Sequence, residues 1–405
     1  MIEAVKRCVS GLDVHKKTVM CTILTEKEGG ELKKITCEFS TFRDDLNRLA
    51  KLLYSSEVEL AVMESTGIYW KCVYEEIEDM GIPCYVVNAR HIKNVPGRKT
   101  DVCDSEWLAE LARCGLLRPS FIPLKDFREI RMLTRYRKKV IGMLGSEKNR
   151  LHKILESAGI KLGAVVSDID GVSAREMIAA IIEESHTPEE IAQMARGRLK
   201  SKNDDLIRSL QGRLSDRHRF LLKKIRSHMQ WLENHISEID CQVEKAMIPY
   251  KEEWQLLQTI PGVDKISAAM LLSEIGVNMD CFGNKDRLSS WAGMCPGNNQ
   301  SAGKKKSGCI RHGDKFIKSV LCEIANSARK TNGQYKAMYQ GLVIRRGHKR
   351  TIVAIGHKVL EVVFVVLKKK IPYRDSSINY EEIVVRRNAP RWIKALDKYG
   401  FLNKL

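Results

Sequence analysis

The sequence predicts an α/β domain followed by two mostly helical domains and a short tail. Short β-branched runs alternate with helical stretches over residues 1–120, which is typical of a sheet covered by helices. Prolines then become sparse, and apolar residues recur at intervals of three and four, which indicates long helices. Glycine-rich basic loops then lead to a final helical region that is predicted near Ile352 to Lys369. We therefore expect domains at 1–120, 121–250 and 251–372, with a tail at 373–405 that serves as a docking strap.

The first domain is predicted to contain five strands. The first three strands form an antiparallel meander and cover Arg7 to Val14, Thr18 to Leu24, and Lys34 to Phe39. The later elements are helix Arg43 to Leu53, strand Leu60 to Met63, helix Tyr69 to Met80, strand Cys84 to Val87 and helix Asp101 to Cys114. The order β-β-β-α-β-α-β-α is that of the RuvC and ribonuclease-H-like fold, a mixed sheet with helices on its faces.

A helical arm is predicted to follow the sheet domain. From Leu222 to Ala246, apolar residues continue the three-and-four spacing for nearly four heptads, which predicts a coiled coil. A weaker seam runs from Ile130 to Ile154. The two helices can pair within one chain or across two chains. Between them, Gly159 to Gly212 is expected to form short helices and turns.

The charge of the chain indicates a polyanionic partner. Lys and Arg number 69 against 50 Asp and Glu, so the net charge is +19, and nucleic acid is the first candidate. No apolar run approaches the ~18 residues of a membrane span, and the N-terminus lacks a signal core. We therefore expect a cytoplasmic, nucleoid-associated protein without a membrane partner. The 12 cysteines occur singly, without zinc-site spacing, and are expected to be reduced.

Carboxylates end two of the predicted strands and begin one helix. Asp13 and Glu64 close the first and fourth strands, which are neighbours in a ribonuclease-H-like sheet, so the two acids are expected side by side. A divalent cation relieves the repulsion between such carboxylates. Asp101 and Asp104 are three residues apart at a helix N-terminus and project from one face. Helix capping is a sufficient alternative explanation for one of them.

Together the four acids are a candidate metal site. Four hard oxygen donors suit two Mg²⁺ ions about 4 Å apart, which orient a phosphodiester and stabilise charge on the attacking and leaving oxygens. Arg98 and Lys99 precede the helix and are expected to contact phosphate beside the ions.

Two further features of the C-terminal half suggest nucleic-acid binding. Residues 260–264 contain a Pro-Gly turn before an apolar helix, which indicates a helix-hairpin-helix element whose backbone N–H groups face a phosphate. Asp264 stands where a second glycine is usual, so a hairpin that only packs is the alternative. Residues 329–350 contain seven Lys or Arg and no acid, with Tyr335 and Tyr339 interleaved. This pattern suits backbone contact and base stacking, with a solvated helix face as the alternative.

Three motifs, in order and at compatible spacing, resemble the insertion-sequence transposases with a DEDD acidic tetrad, which are RNA-guided recombinases. The motifs are Leu-Asp-Val-His-Lys around Asp13, Glu-Ser-Thr-Gly-Ile-Tyr-Trp from Glu64, and Arg-Lys-Thr-Asp-Val-Cys-Asp-Ser from Arg98. The resemblance assigns the tetrad to Asp13, Glu64, Asp101 and Asp104. Ser105 departs from the family, in which alanine is usual after the last acid.

The same resemblance implies a nucleophilic serine in the C-terminal domain. The family's serine lies in a Ser-Gly-type loop after an Ala-Gly-x-x-Pro stretch, and Ser301 in Asn-Asn-Gln-Ser-Ala-Gly matches best. Ser307 is the rival, and composition alone makes Ser301 an ordinary loop hydroxyl. The loop's expected phosphate contacts are Lys304, Lys305, Lys306 and Arg311. Residues 311–314 resemble the family's basic-x-Gly-Asn/Asp element.

The function implied by the resemblance is site-specific DNA recombination by the transposase of an insertion sequence. Strands would be cleaved and exchanged through a phosphoserine intermediate, assisted by the Mg²⁺-binding tetrad. A structured noncoding RNA would pair with donor and target DNA, and the coiled coil would form a dimer or tetramer. The residue pattern itself does not show an RNA guide. The alternatives are a metal-dependent, resolvase-type nuclease with water as nucleophile, and a nonenzymatic nucleic-acid-binding protein that needs none of the four acids.

Overall fold

The computed structural model divides the chain into two compact units, residues 1–122 and 123–405. The structure describes residues 5–27, 31–65, 67–88, 103–184, 186–295, 299–301, 304–307, 310, 313–375 and 380–402.

A five-stranded mixed sheet forms the centre of the first unit. Its strands are β1 (Cys8–Val14), β2 (Thr18–Glu26), β3 (Leu32–Ser40), β4 (Leu60–Glu64) and β5 (Cys84–Val87). The order across the sheet is β3-β2-β1-β4-β5, with β1 to β3 antiparallel and β4 parallel to both β1 and β5. This is the ribonuclease-H-like strand order, and the prediction that the first and fourth strands are neighbours is confirmed.

Helices cover both faces of the sheet. They are α1 (Arg43–Ser55), α2 (Trp70–Asp79) and α3 (Cys103–Arg113). One face packs Leu12 and Met63 against α1 and α2, and the other packs Val9 and Val62 against α3. Alternate residues of β1 and β4 thus enter different cores, as expected when both faces of a strand are buried. Burial raises the pKa of Cys21 to about 11, so this thiol stays protonated and acts as a small apolar side chain.

The second unit is mostly helical. Its helices are α4 (Lys125–Ser157), α5 (Leu162–Val165), α6 (Val172–Glu183), α7 (Pro188–Gln193), α8 (Asn203–Ser209), α9 (Asp216–Ala246), α10 (Lys251–Gln258), α11 (Lys265–Ile275), α12 (Lys285–Trp291), α13 (Lys315–Ala328), α14 (Gln334–Lys369) and α15 (Tyr380–Lys398). A two-stranded hairpin, β6 (Asn299–Ser301) and β7 (Lys304–Ser307), precedes α13.

The two long helices α4 and α9 pack against each other in antiparallel orientation within one chain. Tyr136 Oη lies 3.2 Å from His235 Nε2, and Glu147 Oε1 lies 3.1 Å from His228 Nδ1. Residue numbers therefore rise along α4 as they fall along α9. Of the two pairings left open by the sequence, the structure contains the one within a chain. Supercoiling of the pair and association between chains remain predictions.

Short helices close one end of the α4–α9 pair, in agreement with the prediction for Gly159 to Gly212. Side chains from α5, α6 and α8, including Leu162, Met177 and Leu206, share a buried core with Leu151 of α4 and Leu222 of α9. The segment thus forms a small helical cluster at this end of the pair.

The C-terminal helices differ from the sequence prediction in two respects. Helix α14 begins at Gln334, well before the predicted start at Ile352, and it bends at Gly347, which has φ 71° and ψ 168°. The tail contains helix α15 instead of the predicted strap. The sequence does not indicate this helix because Pro390 lies inside it. In the part of the chain that the structure describes, no helix combines the length and apolar character needed to cross a bilayer.

Candidate active site

Asp13 and Glu64 occupy corresponding positions on two neighbouring parallel strands. Leu12 of β1 lies opposite Met63 of β4, and the two acids are the next residue on each strand. Side chains alternate along a strand, and Leu12 and Met63 both face the α1–α2 core. Asp13 and Glu64 therefore fall on the opposite face, the one covered by α3.

Helix α3 lies antiparallel to β1 on that face. A Cβ on Gly11 would overlap the carbonyl oxygen of Ser105 and lie 2.6 Å from the backbone nitrogen of Ala109, so only glycine allows this approach. At the other end, Val5 N donates to Arg113 O at 2.9 Å. The N-terminal turn of α3 therefore lies toward the end of β1 that carries Asp13.

This orientation directs a third acid to the same end of the sheet. Asp104 belongs to the first turn of α3, next to Ser105, which lies over Gly11. The structure thus brings Asp104 to the sheet end of Asp13 and Glu64. Asp101, Arg98 and Lys99 lie outside the described residues.

Ser105, the departure from the family pattern, is accommodated by a buried partner. Its hydroxyl lies 2.8 Å from the hydroxyl of Thr22 on β2, and both residues are buried. Thr22 also lies 3.4 Å from the hydroxyl of Thr36. The hydroxyl that serine adds to the β-carbon of alanine at position 105 is therefore paired and leaves no unsatisfied polar atom.

His15 is a neighbour of the acids that the sequence did not single out. Its Nε2 lies 3.0 Å from Asp13 Oδ2, and the side chain of Asp13 is 21% exposed. A carboxylate at the end of an apolar strand needs a partner, and a histidine two residues away could have been noticed in the first motif.

The donor chemistry at this end of the sheet suits Mg²⁺, which prefers carboxylate oxygens. Among the described residues, however, no group of three or more His, Cys, Asp or Glu side chains is arranged to hold a metal ion. The predicted set of four includes Asp101, which is outside that part of the chain.

Ser301 lies at the turn end of the β6–β7 hairpin. In the antiparallel register, Ser301 pairs with Lys304 and Gln300 with Lys305, whereas Ser307 pairs with Asn299 at the open end. The two candidate serines thus occupy opposite ends of the hairpin. The sequence pattern does not predict these strands. Arg311 lies outside the described residues.

The segment that carries this hairpin is anchored where it begins and where it ends. A Cβ on Gly313 would lie 2.5 Å from backbone atoms of Ala292 and Gly293, so the two ends of the segment touch. Asp314 then caps α13, because its Oδ1 accepts from Phe316 N at 2.7 Å and from Ile317 N at 3.0 Å.

Arg135 of α4 connects this anchor to α11. Its guanidinium donates to Glu274 at 2.8 and 2.9 Å and to Asp314 at 2.9 Å, and it lies 4.3 Å from the centre of the Phe316 ring. Glu274 is buried and also pairs with Arg131 at 3.0 Å. Burial lowers the pKa of Arg135, but the bonds to Glu274 and Asp314 more than offset this and leave its pKa above the ordinary value.

The α10–α11 hairpin contains the predicted Pro-Gly turn. Gly262 has φ +85°, and a Cβ there would lie 2.6 Å from Ile324 O, so the turn packs against the backbone of α13. Asp264 accepts from Ser267 N at 2.7 Å and occupies the N-terminus of α11 with its own carboxylate. These contacts favour the packing hairpin over a phosphate-binding turn.

One aromatic residue predicted to suit base stacking is not accessible. Tyr335 is 1% exposed and stacks on Tyr373, with ring centres 6.2 Å apart. The prediction for Tyr335 is therefore wrong. The 3.6-residue period of a helix places it on the buried side of α14.

The first unit is a ribonuclease-H-like domain, as its strand order shows, and it carries a candidate acidic site at one end of the sheet. A second, mostly helical unit follows it. Two family models match the chain, one over its N-terminal part and one over its C-terminal part. A transposase model named for the DEDD acids and IS110 matches residues 10–160, and the model described as "Transposase IS116/IS110/IS902 family" matches residues 254–340. The chain belongs to the DEDD-type IS110 transposase family and is a DNA transposase.

Individual relatives are similar over most of the chain. The transposase for insertion sequence element IS1111A of Coxiella burnetii is 22% identical over 332 residues, which cover 79% of this chain and 80% of the relative. The transposase for element IS1328 of Yersinia enterocolitica is 23% identical over 281 residues, covering 67% and 72%.

Solved structures of Thermus thermophilus RuvC also match. One RuvC structure is 15% identical with a TM-score of 0.23, and the match covers 28% of this chain and 99% of RuvC. RuvC in complex with a Holliday junction substrate is 13% identical with a TM-score of 0.22, covering 28% and 100%.

Proposed function

We propose that this transposase cleaves and exchanges DNA strands through a phosphoserine intermediate at Ser301, assisted by Asp13, Glu64, Asp101 and Asp104. The main support is the arrangement of β1, β4 and α3, in which the parallel strand pair and the close approach at Gly11 direct acids to one end of the sheet. The support for Ser301 is its motif, which lies inside the family match at 254–340.

The four acids would hold one or two Mg²⁺ ions through carboxylate oxygens. When bound, such ions orient a phosphodiester and offset negative charge on its oxygens. Asp13 would exchange its present bond with His15 for this role. Arg98 and Lys99 would contact the neighbouring phosphates.

The chemical step at Ser301 conserves the energy of the phosphodiester. Its Oγ would form a bond to phosphorus while one bridging P–O bond of the strand breaks, and the serine proton would pass to solvent as the released strand end takes up a proton. A hydroxyl of another strand end would then attack phosphorus and give its proton to solvent, while the bond between phosphorus and the serine Oγ breaks and the serine takes up a proton. The number of phosphodiester bonds is unchanged, so no ATP is required.

Lysines in the same segment would offset the negative charge of the phosphate. Lys304, Lys305 and Lys306 form the strand paired with the strand of Ser301, and Arg311 follows within the same segment. Positive charge near the reacting phosphate lowers the barrier for a serine that is otherwise inert at neutral pH.

The partners in this proposal are donor DNA, target DNA and a structured noncoding guide RNA. The net charge of +19 supports a polyanionic partner of either kind. We further propose a dimer or tetramer that assembles through the coiled-coil arm and acts on the nucleoid in the cytoplasm. Sequencing RNA that copurifies with the protein tests the guide.

A covalent protein–DNA adduct is the direct test of the serine step. Purified protein, with any copurifying RNA, is incubated with Mg²⁺ and end-labelled DNA that carries the element's ends, and the products are run on a denaturing protein gel. We expect label to migrate with the wild-type protein and with the matched control Ser307→Ala, but not with Ser301→Ala. An adduct that persists in Ser301→Ala contradicts the assignment.

The alternative is a nuclease that shares the acids but uses water as nucleophile. It predicts DNA cutting that survives Ser301→Ala and is lost in Asp13→Asn and Glu64→Gln. A nonenzymatic binding protein predicts that neither acidic substitution changes its activity. The three outcomes differ in one set of gels.

A further inference from the structure

Residues 344–350, at the bend in α14, form an exposed basic surface, which we call the basic bend. It contains Arg345, Arg346, Lys349 and Arg350 on either side of Gly347, and all four cations are exposed. The sequence from 329 to 350 contains no acid that could neutralise them.

Within the part of the chain that the structure describes, the four cations lack acidic partners, unlike the exposed lysines Lys368 and Lys370 at the C-terminal end of the same helix. Among the described residues, none of the four side chains makes an ion pair or a hydrogen bond. By contrast, Lys368 pairs with Asp280, and Lys370 lies 3.1 Å from Glu253. The positive charge of the basic bend is therefore available to an external anion.

The basic bend is held in place on both sides. Before it, Gln334 Nε2 donates to Tyr373 Oη at 2.6 Å. After it, buried Thr351 donates its hydroxyl to Gly347 O at 2.8 Å. Across it, Tyr339 Oη lies 3.0 Å from His348 Nδ1. These contacts hold the backbone of the bend, so binding has to order only the four cationic side chains.

The surroundings of the basic bend favour duplex over single-stranded nucleic acid. Single-strand sites combine cations with aromatic platforms on which bases stack. Here Tyr335 is buried, and the ring of Tyr339 is covered by the guanidinium of Arg329 at 4.7 Å and bonded to His348. Besides the four cations, the exposed side chains of the basic bend are aliphatic Ile344 and the imidazole of His348, which is already engaged by Tyr339 Oη. Cations without a stacking platform suit a partner whose bases are already stacked.

We infer that the basic bend binds the phosphate backbone of duplex DNA. The inference concerns binding alone, so it stands or falls independently of whether Ser301 is the nucleophile. Each contact between a cation and a phosphate releases counterions, which gives the proposal a quantitative signature in salt dependence.

The test measures affinity for a fluorescent 40-base-pair duplex of unrelated sequence by anisotropy, in EDTA so that no cleavage occurs, between 50 and 200 mM KCl. Each contact contributes about 0.9 to the slope of log K against log salt for duplex DNA and about 0.7 for single strands. We expect Arg345→Gln/Arg346→Gln and Lys349→Gln/Arg350→Gln each to reduce the slope by about 1.8, and the quadruple variant by about 3.6. The unfolding midpoint of the quadruple variant should be unchanged, because none of these four side chains makes an ion pair or hydrogen bond within the described residues.

Two controls separate this effect from a general loss of charge. Lys368→Gln/Lys370→Gln removes two exposed cations that have carboxylate partners, and we expect little change in slope. Ile344→Ala changes the same surface without changing its charge and should keep the wild-type slope. An unchanged slope in the quadruple variant overturns the proposal, as does a loss equal to that of the lysine control. A loss confined to single-stranded DNA or duplex RNA overturns the assignment to duplex DNA.

Discussion

Gly11→Ala tests whether the close approach of α3 to β1 sets the geometry of the acids. The added methyl group would overlap Ser105 O and lie 2.6 Å from Ala109 N, whereas ordinary contacts are 3.4 Å or longer. The obstructing atoms belong to the backbone of a helix, so α3 must shift by roughly 1 Å, a displacement that can cost about 10²-fold in rate. Overpacking of this kind typically costs about 1–3 kcal/mol, and we expect about 3 because the neighbours are backbone atoms.

Stability and adduct formation are measured on the same variant. For the 122-residue unit, a loss of about 3 kcal/mol corresponds to a fall of about 10 °C in the melting temperature. We expect DNA affinity to be kept and adduct formation to fall about 100-fold. Gly142→Ala in α4 is the matched control, because nothing lies within 4 Å of its added methyl group, and alanine favours a helix by about 1 kcal/mol. If Gly11→Ala keeps wild-type stability and adduct yield, the close approach does not position the acids.

Three other substitutions test the supports of the two units. Arg135→Met should destabilise the protein by about 3 kcal/mol in urea unfolding, because buried Glu274 loses one of its two arginines; a loss below about 0.5 kcal/mol would contradict this. Thr22→Val should cost about 1–3 kcal/mol by leaving the buried hydroxyl of Ser105 unpaired, and adding Ser105→Ala should restore part of it; equal costs for the single and double variants argue against the bond. Burial raises the pKa of Asp170, but its bonds to two basic side chains outweigh this and leave the pKa low. The contribution of the Asp170 carboxylate is thus fully present above about pH 4 and is lost as pH falls through the lower folded pKa. Asp170→Asn should therefore cost stability in urea at pH 7, and this cost should shrink progressively as the pH is lowered below about 4.

The sheet and the acids could be predicted because their signals are local. A buried parallel strand reads as an apolar run, and an acid at its end stands out from that run, as Asp13 and Glu64 do. Strand order then followed from the sequence of elements, which has few allowed topologies. The hairpin at Ser301 was not predicted because each of its strands has only three or four residues, without alternating hydrophobicity.

The supports of the site could not be predicted in the same way, because they depend on contacts between distant residues. Gly11 reads as a weak point in a strand until α3, about 95 residues later, is seen to rest on it. A glycine inside an apolar strand could have suggested a close backbone approach, but it names no partner. Helix α15 was missed for another reason, since its exposed apolar residues and Pro390 give no clear buried face.

Arg135 shows why such supports matter for the serine segment. Its guanidinium donates to Glu274 at the C-terminal end of α11 and to Asp314 at the N-cap of α13. Next to Asp314, Gly313 contacts the backbone of Ala292 and Gly293, where the segment that carries Ser301 begins. A bidentate arginine holds two carboxylates in a fixed geometry that lysine cannot reproduce. The motif around Ser301 can thus be recognised from a few adjacent residues. The segment that carries it, however, is anchored by the guanidinium of Arg135, which lies 166 residues before Ser301 in the chain. Residues that hold a segment in place can therefore be recognised only once the fold is known, whereas residues that carry out chemistry can be recognised from their own functional groups.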